Sequence, residues 1–135
     1  MGVIVVGYIP KPEGKAALQV AIAEAKLRDA RLIVVNSKRR YDAEPGRGDE
    51  SDSYLDEVQR QLDEQGLSSE VRQVIRAHEP GDDLTGIAVA ESADLIVIGL
   101  RRRTPIGKLI LGSNAQRILL DAPCPVLAVK AELGE

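Results

Sequence analysis

The residues best placed to do chemistry in this sequence lie between Gly99 and Asn114. The segment leaves an apolar run at Gly99, carries Arg101, Arg102 and Arg103 in a row, and ends in Gly112-Ser113-Asn114, where a helical pattern begins. The first N–H groups of a helix have no partner inside it and attract an anion. Gly112 lets a ligand approach the backbone closely, and Ser113 and Asn114 add side-chain donors. This helix start reads two ways: as a phosphate site, or as a helix that Ser113 simply caps. A second cation run, Lys38-Arg39-Arg40, follows another apolar run. Taken singly, each run reads as a solvated loop. Gathered at one edge of a sheet, they focus a positive potential that favours a small anionic ligand.

Other chemistries lack their parts. Gly107-Lys108 is not a phosphate-binding P-loop, because Leu109 follows the lysine and Gly99 lies too far upstream. His78 is the one histidine, placed either to touch a ligand or simply to face solvent. Cys124, between Pro123 and Pro125, reads as a small core residue rather than a nucleophile. No zinc-ligand spacing occurs. Asp82-Asp83 and Asp49-Glu50 read as helix-start acids that suit the dipole, not as an acid/base pair. The sequence therefore points away from an enzyme.

Composition narrows the setting. A chain of 135 residues with 44% hydrophobic residues is expected to form one domain, residues 1–135. It has no Phe or Trp, so Ile, Val, Leu and Ala must fill the core. A formal net charge of −3 and scarce aromatics argue against nucleic acid as a partner. No apolar stretch approaches a membrane span. A single cysteine and no signal-like start fit a cytoplasmic protein.

The elements that must position the site follow from the pattern of apolar runs. Val3 to Val6, Leu32 to Val35, Leu95 to Ile98 and Val126 to Val129 are continuous, as strands buried on both faces require. Glu70 to Arg76 is a more polar strand, suited to a sheet edge. Helical patterns cover Glu13 to Arg28, Ser53 to Gln65, Asp82 to Ser92 and Ser113 to Leu120, and residues 38–52 read as one long surface loop. Strands alternating with helices predict an α/β fold, a doubly wound parallel sheet with helices on both faces. Ligands of such sheets sit beyond the carboxyl ends of the strands. The loops after Gly7, Asn36 and Gly99 are the candidates.

Three stretches, Asp94-Leu-Ile-Val-Ile-Gly99, Leu111-Gly112-Ser113 and Ala122-Pro-Cys-Pro-Val-Leu-Ala-Val129, resemble the universal stress protein family. The likeness extends to the first strand and the helix that carries Ala16-Ala17-Leu18. The resemblance implies a five-stranded sheet of order 3-2-1-4-5, a homodimer paired through the last strand (Pro125 to Lys130), and ATP or AMP as ligand. It implies no common enzymatic activity. The family's nucleotide pattern is Gly, two residues, Gly, nine residues, then Gly and Ser or Thr. Gly99 and Gly112-Ser113 match its ends, and Arg102 stands at the second glycine. Ile9 stands where nucleotide-binding members carry an acid. The expected site therefore comprises Tyr8, Ile9, Pro10, Val35, Asn36, Gly99, Arg101, Arg102, Arg103, Gly112, Ser113 and Asn114. An alternative reading is a member that binds no nucleotide and acts through protein contacts. Independently of the family, the apolar edge Val126 to Val129 needs covering, and a second copy would cover it in a closed twofold.

Overall fold

Three of the four continuous apolar runs become the inner strands of a sheet with both faces covered, while Val126 to Val129 forms a half-buried edge strand rather than one buried on both faces. A computed structural model describes residues 2–39, 48–76, 80–100 and 112–131. The elements in chain order are β1 (Val3–Gly7), α1 (Pro12–Arg28), β2 (Arg31–Arg39), α2 (Gly48–Glu64), β3 (Ser69–Arg76), α3 (Pro80–Ala90), β4 (Leu95–Leu100), α4 (Ser113–Asp121) and β5 (Val126–Lys130). The strands pair in parallel in the order β3-β2-β1-β4-β5. Fold class, strand order and the edge position of β3 are as the sequence predicts.

Strand periodicity divides the core in two. Ile4, Val6, Leu32, Val34 and Val97 pack against Ala17, Leu18 and Ala21 of α1 and Leu55, Val58 and Leu62 of α2. Val5, Ile33, Ile96 and Ile98 pack against Leu84 and Ala88 of α3 and Ile118 of α4. The alanines of α1 let that helix lie close to the sheet without aromatic filler. Truncating a fully buried residue such as Ile33 to alanine is expected to cost about 2–5 kcal/mol.

The loop expected at residues 38–52 is shorter at both ends. β2 continues to Arg39, and its pairing with β3 runs through Ser37↔Val74, Lys38↔Ile75 and Arg39↔Arg76. β1 stops at Gly7, opposite Val35. Beyond that point β2 has a neighbour on one side only, so it needs no continuous apolar run. α2 begins at Gly48 rather than Ser53. The first turns of a helix need no apolar residue, and acids suit them, so polar composition hid the start. α3 begins at Pro80, two residues before the sequence reading. Proline is tolerated at the first helical position because its missing N–H would be unpaired there anyway. Its helical run also ends earlier, with Ser92 in the left-handed region at φ 53°.

A ring of alternating charge ties the edge strand β3 to β2 and to the residue after α3. Arg31 pairs with Glu70 and, at 3.5 Å, with Glu91; Arg72 pairs with Glu70 at 2.6 Å and Glu91 at 2.8 Å. The Arg72 hydrogen bond, aided by the charges of Arg72 and Arg31, holds the Glu70 carboxyl below the usual carboxylate range. A carboxyl with a depressed folded pKa stabilises fully above its unfolded value, about 4.3. That contribution is lost as pH falls through the folded value. Because the ring is partly solvated, Glu70→Gln is expected to lower stability at neutral pH by no more than about 1 kcal/mol. Urea unfolding at neutral pH and below pH about 4 should show the difference between wild type and variant shrinking in acid.

Candidate functional site

The order of the sheet reverses between β1 and β4. The chain leaving β1 crosses to α1 on one face, and the chain after β4 reaches α4 on the other, so a crevice opens between them. It forms a cleft of about 250 Å³. Val35, Leu84, Ile98 and Ile118 give it apolar walls, and Ile9, Glu13, Ser37 and Asn114 also line it.

Two glycines make this geometry possible by bringing backbone against backbone. A Cβ on Gly99 would sit 2.1 Å from the Glu13 carbonyl oxygen, so the first turn of α1 rests directly on the end of β4. A Cβ on Gly14 would sit 2.0 Å from the Ile9 carbonyl oxygen, so the loop after β1 folds flat onto that same turn. Gly99 thus has a packing reason to be glycine besides lining the cleft.

The loop after β1 is held from beneath. The Tyr8 N–H donates to the Val35 carbonyl at 2.9 Å, and Asn36 Nδ2 donates to the Tyr8 carbonyl at 3.0 Å. Gln73 Nε2 donates to Asn36 Oδ1 at 3.3 Å. Asn36 is 2% exposed, so its amide needs these partners; it positions the loop and does not line the cleft. Tyr8 packs its ring 6.0 Å from that of Tyr54, and burial, with Tyr54 adding, pushes its hydroxyl pKa up.

Three helix N-termini meet around the cleft, and they differ in charge. α1 carries Glu13 in its first turn. α3 carries Asp82 and Asp83. Asp82 pairs with Arg117 at 3.1 Å, Asp83 accepts from Ser37 Oγ at 3.3 Å, and the Gly81 N–H donates to Asn114 Oδ1 at 3.3 Å. α4 has no acid in its first turn. Gly112 is its N-cap, no side chain caps it, and Ser113 is the first helical residue. Capping by Ser113 is therefore not what the structure contains.

Of the expected site residues, Tyr8, Ile9, Val35, Gly99 and Asn114 line the cleft. Pro10 and Ser113 are exposed beside it, and Gly112 is the N-cap of α4. Arg101, Arg102, Arg103, Arg40 and His78 lie outside the described residues. Lys38 and Arg39 belong to β2, not to a loop. Glu13, Gly14, Ser37 and Gly81 line the cleft and escaped the sequence reading. The signal for two of them was available: Pro12-Glu13-Gly14 and Pro80-Gly81 place glycine just after a helix-starting proline, where only close approach justifies its entropic cost. Burial, with Asp94 adding, pushes the Cys124 thiol pKa up, away from the nucleophilic thiolate. Among the described residues no cluster of His, Cys, Asp or Glu is arranged to hold a metal, and no helix is long and apolar enough to cross a membrane.

A doubly wound sheet with an open, largely apolar cleft at its switch point defines an α/β protein with a crevice where ligands of such sheets sit. Residues 1–130 match the model of the universal stress protein family, and the chain belongs to that family. A universal stress protein of Mycolicibacterium smegmatis is 43% identical over 94% of this chain and 96% of its own length. A universal stress protein structure from Archaeoglobus fulgidus is 31% identical, with a TM-score of 0.79 over 96% of this chain and 98% of that one. The universal stress protein from Archaeoglobus fulgidus in complex with dAMP is 26% identical, with a TM-score of 0.70 over 96% and 98% of the two chains.

The glycine contacts predict a graded response to alanine. Gly99→Ala and Gly14→Ala must push backbone apart and should each cost roughly 1–3 kcal/mol or more. Gly86, within α3, has open space around it, and Gly86→Ala should add about 0.5–1 kcal/mol. Denaturant midpoints of the three variants check the ranking.

Proposed function

We propose that this protein is a regulatory module that binds a nucleotide, ATP or AMP, or another phosphorylated ligand in the cleft between β1 and β4, without turning it over. One observation carries the reading. The start of α4 is a helix N-terminus with neither an acid nor a side-chain cap, and it adjoins an apolar cleft at the switch point. An apolar wall accepts a base or similar flat group, and free N–H groups with a positive dipole favour phosphate. The dAMP complex of the Archaeoglobus fulgidus protein is consistent with this use of the fold. In this reading Gly112, Ser113 and Asn114 receive the anion, Arg101 to Arg103 supply charge, and Tyr8, Ile9 and Val35 meet the uncharged part.

Two features favour a second reading, in which the chain binds no nucleotide and works through protein contacts. Arg102 replaces a glycine of the family's pattern, and Ile9 replaces its acid; Ile9 is 40% exposed. In both readings the protein is cytoplasmic and pairs with a second copy through β5. That strand is a sheet edge whose Val126 to Val129 are only half-buried.

Calorimetric titration separates the readings. ATP or AMP should bind with micromolar to millimolar affinity, weakening as salt rises; absence of heat at millimolar nucleotide leaves the protein-contact reading. Sedimentation at micromolar concentration should give a dimer, and a monomer there would remove β5 as the pairing edge.

A further inference from the structure

We infer that two copies of this chain pair their β5 strands antiparallel about a twofold axis at Ala128, with Leu127 beside the partner's Val129 and Val126 beside the partner's Lys130. The inference rests on pairing through β5 and adds its register.

The hydrogen bonds to β4 decide which groups of β5 remain for a partner. The Ile96 N–H donates to the Pro125 carbonyl at 3.0 Å, and the Ala131 N–H donates to the Leu100 carbonyl at 3.4 Å. Along a strand, the N–H and C=O of one residue point to one side and those of the next residue to the other. Ile96 stands opposite Val126, and Leu100 opposite Lys130. Pro125, Leu127, Val129 and Ala131 therefore face β4, and Val126, Ala128 and Lys130 turn their backbone groups outward. Pro125 has no N–H, but it falls in the set that faces β4, so no proline interrupts the outward row. The one charge on the strand is Lys130, at its end. The opposite edge strand, β3, carries Glu70, Arg72 and Arg76, and such charges guard an edge against pairing.

A twofold antiparallel pair must join outward residues to outward residues. An axis at Leu127 sets Lys130 against residue 124, which precedes the strand, and an axis at Val129 sets Val126 against residue 132, which follows it. An axis at Ala128 pairs Ala128 with itself and Val126 with Lys130, so every outward group of the strand is satisfied. The same register lays Leu127 beside the partner's Val129. Both are half-buried on the face that α1 covers, and a cross-strand apolar pair completes their burial. The two lysines lie at opposite ends of the paired strands, which keeps like charges apart. The strand is thus complementary to a second copy of itself.

Mixed cysteine variants test the register. The native thiol is removed by Cys124→Ala, and Leu127→Cys and Val129→Cys are made separately in that background. The two are unfolded, mixed, refolded together and oxidised. Residues directly opposite in a non-hydrogen-bonded pair lie about 4.5 Å apart at Cα, within reach of a disulfide, while diagonal neighbours at about 7–8 Å lie beyond it. Covalent dimer should form in the mixture, in about half of the chains if copies assort at random, and in neither variant alone. Val126→Cys mixed with Lys130→Cys should behave alike, which checks the register without touching the Leu127–Val129 pair. Covalent dimer from Leu127→Cys alone or Val129→Cys alone places the axis at that residue and overturns the register, while pairing through β5 stands. If sedimentation shows the Cys124→Ala protein to be a monomer, or a dimer that no combination crosslinks, both fall. Far-UV circular dichroism confirms that the variants are folded.

Discussion

A parallel sheet buried on both faces must return its chain over one face or the other after every strand, and each return starts a helix at the same edge. That constraint governs this protein. It brings the N-termini of α1, α3 and α4 together around one crevice, and each arrives with unpaired N–H groups and a positive dipole end. Two are dealt with locally: Glu13 stands at the start of α1, and Asp82, Asp83 and Asn114 Oδ1 serve the start of α3. The third, at α4, has no acid and no side-chain cap. The polarity of the cleft is therefore a remainder left by the winding of the fold, and few residues need to be dedicated to it.

Crowding helix starts onto strand ends leaves little room, and the glycines answer that. Gly99 under Glu13 and Gly14 under Ile9 let three segments of backbone stack without side chains between them. Gly81 does the same more loosely, with a Cβ position 3.1 Å from the Asn114 carbonyl oxygen. The buried amide of Asn36 ties the loop after β1 to β2, and β2 in turn is tied to β3 through Gln73. The rim is thus joined to the sheet through short polar links, while the aliphatic core supplies the bulk of the stability.

Much of the architecture was legible because burial on both faces leaves an unmistakable mark. Ile4-Val5-Val6, Leu32 to Val35 and Leu95 to Ile98 are all fully or nearly fully buried, as strands covered on both faces require, although Val126 to Val129 carries the same pattern at a half-buried edge. The end of β2 and the start of α2 were not legible, since neither requires apolar residues. Of the site, the helix start at Gly112 was visible in the chain because glycine, serine and asparagine mark such places. Glu13 and Ser37 were not, because a single acid in a first helical turn and a single serine after a strand look like ordinary surface residues. Asn36 was assigned to the ligand, yet its side chain serves the backbone of Tyr8; sequence cannot tell a polar residue beneath a site from one inside it.

The way the polar groups are shared sets how such a cleft can discriminate. A site gains selectivity chiefly where a buried polar group is left unpaired by the wrong ligand. Ser37 Oγ and Asn114 Oδ1 already have protein partners, so a ligand that fails to reach those two atoms leaves them satisfied. The apolar walls distinguish ligands by shape and area, at about 25 cal/mol per Å², and are forgiving of chemical detail. Among the described residues the start of α4 has no side-chain cap, so in the proposed reading discrimination by hydrogen bonding falls chiefly to its first N–H groups.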